Sequence, residues 1–596
     1  MRLRDTIICS VSIVLAAVLF IAAGTHLDFI NAERSRLKLT MERPRDIPPS
    51  IAFATVATGA FRGLVVDALW LRADKLKQEG QFFDAKQLAE WITILQPRFA
   101  TVWDFQAWNM AYNISVTMPA TDPQERWRWV KNGLELLRDK AIPLNPHSIL
   151  LYQRLAFIFQ NKIGGVTDDC HYYYKLQLAL EMEPLLGPAD NEYFKALAEA
   201  PSEWRRIAED ANTAGLIAAL RAADKTFAAA DADQFVGSYL SLRQVPKRFS
   251  PQSFKVINEY RGSKAIRNLD IFARAYQLRN VWKLEPETME KLNQLYGPVD
   301  WDDPNRHLPL DWRHPDTHAL YWAYKGLEIA GSSGYSASQA GTNRMINQSL
   351  QSLFRQGKIY LYLAALPPQE GQDANSQSAG QVQAVYLRPD LRMFKSYNAS
   401  TMAIIEWYKT IEHMTSESMQ IGHRNMLKNA LLAFYQAGHR KQALEIYGML
   451  KKLYPSSELF DSVDAYARYI FNEEILDLGL NDVREIIQMY LQEAYFYYSM
   501  RDDDQAAVYE NLAKQAYDAY LQKYGIGGAI EKERLGLPEF SRLKYLALID
   551  FVNDYQYPYT LKESLYSRIK IEKPELFDDL NKQRQQALKE MEKQPK

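Results

Sequence analysis

Cysteine is nearly absent from this chain of 596 residues: only Cys9 and Cys170 occur, too few for a disulfide framework or a four-thiolate zinc site. Glycine (27) and proline (26) are also sparse, which excludes collagen-like and linker-dominated architectures. Neither sign of charge is in excess. With 71 Lys and Arg against 72 Asp and Glu, the net charge of −1 gives no global drive toward nucleic acid or anionic lipid. No G-x-S-x-G elbow is present, and the pairs Gly164-Gly165 and Gly527-Gly528 lack the lysine and spacing of a phosphate loop. What remains is the composition of a packed protein, 47% apolar and 12% aromatic, with 36 tyrosines.

One long apolar run exists. Thr6 to Gly24, TIICSVSIVLAAVLFIAAG, carries no charge, and as a helix it reaches about 28 Å, close to the hydrocarbon thickness of a bilayer. It reads as an uncleaved transmembrane anchor; a cleaved signal peptide is the competing reading, because Ala22-Ala23-Gly24 offers small residues at a cleavage position. Both place the body on the exoplasmic or periplasmic side, with Arg2 and Arg4 before the run giving weak support for that orientation. A second stretch, Ile51 to Leu71, contains Arg62 and Asp67 and reads as a buried or interfacial helix. Between the two, Pro44, Pro48 and Pro49 mark a tether.

A fixed pattern organises part of the body. Gly80, Ala85 and Pro97 stand at the same offsets as Gly438, Ala443 and Pro455, with Leu69, Ala73 and Leu76 preceding the first set and Leu427, Leu431 and Phe434 the second. Small residues let two helices approach, glycine suits the left-handed turn that ends the first helix, and proline stops the second. Trp103, Ala107 and Met110 restart the cycle, and Tyr152, Leu155, Ala156 and Phe159 do so again, closed by Pro184. This pattern resembles the tetratricopeptide repeat, a helix-turn-helix unit. The resemblance is strongest over residues 60–185 and 424–457, and it implies an all-α solenoid that scaffolds other proteins.

The expected architecture is therefore all-α, an N-terminal transmembrane helix (1–25) and a tether (26–50) followed by a tetratricopeptide-like α-solenoid. Residues 51–185 form its N-terminal repeats, 186–423 a divergent helical region, and 424–596 the C-terminal repeats and a charged tail. Within the divergent region, 203–235 is Ala-rich and helical by propensity, and 367–383 is a polar surface loop. Residues 481–524 read as another helix pair, and no part of the body reads as strands.

Two constellations invite a functional reading. Phe105, Trp108 and Tyr112 fall on a helix face apart from the packing face of Trp103 and Ala107, and are the candidate lining of a partner-binding groove. In HLPLDWRHPDTHALYW, His307, Asp311, His314, Asp316 and His318 crowd together; convergence of the three histidines with a carboxylate would make 300–330 a metal-dependent enzyme site. Pro315 argues against it, because a helix starting there leaves His314 outside, Asp316 in the first turn, and Leu320, Tyr324 and Leu327 as a core face. Cys170 beside His171 reads as a buried, idle thiol. The preferred expectation has no catalytic residue, metal or cofactor: a scaffold at the cell envelope whose partners are proteins and the membrane, not nucleic acid.

Overall fold

The computed structural model describes Val14, Leu15, Val18 and residues 62–578, apart from 229–230, 334–335, 366–380, 412–416, 457–461, 477–479, 525–536, 554–556, 558 and 575–576. Most of the proposed span, the tether, most of the polar loop and the charged tail lie outside the described residues, and no described helix is long and apolar enough to cross a membrane. The described chain is mostly helical. It divides into two units: residues up to Thr117 with Trp129–Tyr152, and Met118–Arg128 with everything from Gln153 on.

In the first unit, helices Arg62–Gln78 and Phe82–Leu95 form a hairpin. Gly80 closes it at a φ of +77°, with its N–H donating to the Lys77 carbonyl at 3.1 Å and the Gln81 N–H to Leu76 at 2.8 Å. That pair of bonds satisfies carbonyls a helix end would otherwise leave open. Val66, Ala89, Ile92 and Val102 form the core, covered by Trp70 and Phe105. Pro97 does more than stop a helix: its carbonyl accepts from Trp103 Nε1 at 2.8 Å and from Asn145 Nδ2 at 2.9 Å, tying two later helices to the turn. Helix Ala100–Trp108 runs into a π-helical turn, Asn109–Ile114. A Cβ at Gly133 would meet the Ala107 carbonyl at 2.8 Å, so glycine is required there for backbone-to-backbone packing.

The second unit begins within helix Ile149–Phe157, which also ends in a π-helical turn, Ile158–Ile163, and is followed by His171–Leu186. The sequence expectation that Pro184 closes this helix is corrected: Pro184 lies inside its last turn, and Gly187, at a φ of +54°, ends it. The Ala-rich stretch is helical, as its propensity indicates, but in several pieces. It is divided into Trp204–Ala208, Ala214–Ala223 and the start of Ala232–Gln244: Asp210 accepts from the Thr213 N–H in the first break, Asp224 from the Thr226 N–H in the second, and Asp231 caps the third helix by accepting from the Gln234 N–H.

Helix Pro315–Ser333 starts where Pro315 indicates and pairs with Ser336–Gln356. Its early turns are buried on every side, including Ala319 to Ala323, whereas Tyr324 and Leu327 are only half-buried; the single core face expected from sequence is thereby corrected. Within the second unit, helix Ser336–Gln356 meets residues 153–163 through a polar seam of matched seven-residue spacing. Gln153 Nε2 donates to Thr342 Oγ1 at 2.8 Å and Gln160 Nε2 to Ser349 Oγ at 3.0 Å.

A two-stranded antiparallel sheet follows, β1 (Lys358–Ala365) and β2 (Gln381–Arg388). This corrects the expectation of no strands: KIYLYLAA and QVQAVYLR alternate, and residues 381–383 belong to β2 and not to the polar loop. Ile359 and Val385 pack on Leu176 and Ala179 of helix His171–Leu186, so the hairpin buries one face. On β2, Arg388 pairs with Glu493 and lies over the rings of Phe496 and Tyr497 at 4.3 and 4.6 Å.

Further on, Glu417–Gln436 and Arg440–Leu453 form a hairpin closed by Gly438, again at a φ of +77°, with the His439 N–H on Phe434 at 2.9 Å. The pair Leu480–Ser499 and Asp503–Tyr524 turns in the same way, but with Arg501 at a φ of +62°. A glycine-based pattern cannot find that third turn. Gly438→Val is expected to lower unfolding stability by about 2 kcal/mol, since a β-branched residue is strained at positive φ. An unaltered thermal unfolding curve would contradict the role of this turn.

Candidate functional site

Of the sequence-derived groove residues, Trp108 and Tyr112 stack with ring centroids 4.1 Å apart and remain half-buried, Tyr112 inside the π-helical turn. Phe105 points elsewhere. It meets Trp70 edge-on at 5.0 Å with Lys77 Nζ 5.2 Å from its ring, and so covers the core of the first hairpin. Trp103, Ala85, Ala107 and Ala443 are buried packing residues.

The His/Asp segment separates into an outer and an inner part. His307 bonds the Gly297 carbonyl through Nδ1 at 2.9 Å and is remote from the others in role. His314, Asp316 and His318 are fully buried. His314 Nδ1 accepts from the Asp316 N–H at 3.1 Å, capping the Pro315 helix, and the backbone of Gln356 is a further polar neighbour. His318 Nε2 bonds the Trp312 carbonyl at 2.9 Å, its ring stacked on Phe159. Among the described residues no three His, Cys, Asp or Glu side chains are placed to hold a metal ion. The convergence that the metal-enzyme alternative requires is therefore not found in 300–330.

The inner part is electrostatically unusual. Asp316 accepts from Ser352 at 2.6 Å on one oxygen, and its other oxygen is buried without a hydrogen-bond partner. Burial raises this carboxyl to about 7, against the lowering effects of Ser352 and Lys175. Lys175, also buried, is pushed down to about 8 by desolvation; it donates to the Gly165 carbonyl at 2.7 Å and meets His171 Nδ1 at 3.0 Å. Burial pushes His314 down to about 3, so its ring is neutral.

A second buried network fixes the loop before helix His171–Leu186. Asp168 receives Lys162 Nζ at 2.6 Å, Arg126 Nη1 at 3.3 Å, the Tyr174 hydroxyl at 3.1 Å and the Cys170 N–H at 2.9 Å. Burial alone would raise its carboxyl; the Lys162 and Cys170 hydrogen bonds outweigh burial and hold it below the usual range. Cys170 is buried, and desolvation pushes its thiol up, the opposite of an activated nucleophile.

The outer part of the segment reaches a cavity of about 370 Å³ that sequence reasoning did not anticipate. Two identical devices line it. Asp311 accepts from Arg313 at its backbone N–H, Nε (2.8 Å) and Nη2 (2.7 Å), and Asp390 accepts from Arg392 in the same three ways, again at 2.8 and 2.7 Å for the side chain. The D-x-R spacing in PLDWRHP and RPDLRMF was the available signal. Lys358 and Tyr360 of β1 form another wall, and Gly187 and Ala189, both at positive φ, a further one. Such strain is held where surrounding structure over-determines the backbone. Compared with family models and with curated proteins, the chain matches none.

Proposed function

We infer that this protein is a non-enzymatic, membrane-tethered helical-repeat scaffold of tetratricopeptide type that assembles other proteins at the cell envelope. The observation that carries the reading is the recurrence of one hairpin design. Gly80 and Gly438 close helix pairs with the same φ and the same pair of backbone bonds, and each second helix stops just before Pro97 or Pro455. Stacked hairpins offer extended surface for partner segments. The half-buried Trp108–Tyr112 stack is the proposed contact, since large aromatics dominate interface energetics. Leu64 and Leu71 on the first helix and Trp91 and Ile94 on the second are exposed apolar groups, which supports docking of this hairpin against a partner or the membrane to which the apolar run at 6–24 would tether it.

The test is cross-linking in native membranes, followed by detergent extraction, affinity capture and a metal assay on the same sample. A stoichiometric protein partner is expected, with recovery reduced about tenfold or more in a Trp108→Ala, Tyr112→Ala variant of unchanged melting curve. Stoichiometric zinc or iron with no partner would overturn the reading.

A further inference from the structure

Helix Arg62–Gln78 is apolar on two opposite sides. Val66, Ala73 and Leu76 are buried and form its packing side. Leu64, Ala68 and Leu71 recur at helical spacing on the other side and are all exposed, Leu64 by 68% and Leu71 by 72%. Asp67 and Arg72, also exposed, stand to either side of that stripe, and Lys75 follows it one turn on. A helix with one side in water carries polar residues there, whereas one apolar on both sides is covered on both. The terminal hairpin of a stacked-helix array ordinarily turns a polar face outward. This hairpin, the first among the described residues, does not. Its second helix, Phe82–Leu95, shares the anomaly, with Phe83, Trp91 and Ile94 exposed along one side.

We propose that the exposed face of helix Arg62–Gln78 lies on a lipid bilayer, with Leu64 and Leu71 inserted into the interface. The proposal rests on the membrane-tether reading and adds a second point of membrane contact to it. Several observations favour lipid over protein as the cover. The apolar run at 6–24 does not supply it, because Val14, Leu15 and Val18 are helical and themselves more than half exposed. Residues 25–61 join that run to the helix, and a flexible chain of that length spans about 35 Å, which keeps a tethered hairpin within reach of the surface. Residues 51–61, IAFATVATGAF, carry no charge, so apolar sequence leads directly into the stripe. The two principal cavities are lined by residues from 183 onward, and neither opens on this hairpin. A protein interface centres on anchors seated in pockets, which a bilayer does not need. Trp91 is of the residue type enriched at the membrane–water boundary. Between Arg62 and Leu95, five basic residues balance five acidic ones. The attraction is therefore apolar, and it depends neither on anionic lipid nor on low salt.

The experiment uses the full-length protein carrying Cys9→Ala, reconstituted into phosphatidylcholine vesicles. Cys170 is buried and stays unlabelled. An environment-sensitive fluorophore is attached at Leu64→Cys, at Leu71→Cys or, as a reference on another exposed helical position, at Gln252→Cys. The labels at 64 and 71 are expected to be quenched by lipids bearing a nitroxide high on the acyl chain. They should also lose most of the aqueous acrylamide quenching seen at 252, in low and high salt alike. Leu64→Asp should return the label at 71 to acrylamide with an unchanged unfolding curve, because position 64 makes no core contact. Acrylamide quenching equal to that at 252 would overturn the proposal. So would shielding without nitroxide quenching, which would mean that protein covers the face, either a segment of this chain or a second copy. Alkaline carbonate separates the two readings. If the protein resists extraction while its labels stay open to water, the docking fails and the tether stands. If carbonate extracts it, the tether falls and the proposal with it.

Discussion

Asp168→Asn is expected to destabilise the second unit by about 3–5 kcal/mol, the cost of removing one partner from a buried ion pair. The substitution is nearly isosteric and keeps an acceptor for the Tyr174 hydroxyl and the Cys170 N–H. It removes the carboxylate charge that pairs with Lys162 and Arg126, both buried around it. The loss therefore comes from removing a negative charge beside two buried cations more than from broken hydrogen bonds. A second substitution separates these causes. Adding Lys162→Met removes one stranded cation and leaves an apolar side chain of similar length, so the double variant should recover part of the loss. Denaturant unfolding of the wild type, Asp168→Asn, Lys162→Met and the double variant gives the coupling energy. Stability of Asp168→Asn within about 1 kcal/mol of wild type would show that this network is not the clamp of the loop.

The pH dependence of stability is expected to change when Asp316 becomes asparagine. Burial raises the Asp316 carboxyl to about 7 from 3.8, so the folded chain keeps a proton that the unfolded chain has released. Its contribution is full below about pH 3.8 and is lost as the pH climbs toward 7. His314 acts in the opposite sense. Burial holds its ring neutral down to about 3, while the unfolded ring takes up a proton below 6.5, so its contribution is present above 6.5 and lost as the pH falls. Between about pH 4 and 6.5 both states of this pair hold one proton, and the two slopes cancel. Asp316→Asn removes one slope and leaves the other. The stability difference between variant and wild type should grow in favour of the variant by about 4 kcal/mol from about pH 4 to pH 7, at roughly 1.4 kcal/mol per unit of pKa displacement. Urea unfolding of both proteins across that range measures it. A difference independent of pH would mean that Asp316 titrates as an exposed carboxylate.

These two networks show where sequence reading reaches its limit. The segment around His314 was legible as a helix start, because Pro315 acts on its own backbone and the His314 Nδ1 cap is two residues away. Its chemistry was not legible. Metal-ligand spacing and core burial produce the same residue types, and only the placement of Ser352, Lys175 and Gln356 around the pair decides between them. The β-hairpin was missed for a related reason. Its strands are separated by a long polar segment, so neither presents the short turn that marks a hairpin in sequence. The cavity was half visible: DWRHPDTH stood out, but its counterpart at Asp390 and Arg392 lies about eighty residues away.

By itself, the sequence determined the helical character of the body and the placing of particular turns and stops. Gly80, Gly438, Pro97, Pro455 and Pro315 act on backbone within a few positions, and such local preferences survive whatever the rest of the chain does. The tertiary structure alone decided which polar groups would be buried, and with what partners. Gln153 and Gln160 find Thr342 and Ser349 across 189 residues, Arg126 finds Asp168 across 42, and the cavity draws on segments near 183, 311, 358 and 390. The energy of a buried charge or an open donor is set by neighbours in space, and those neighbours are fixed only when the helices pack.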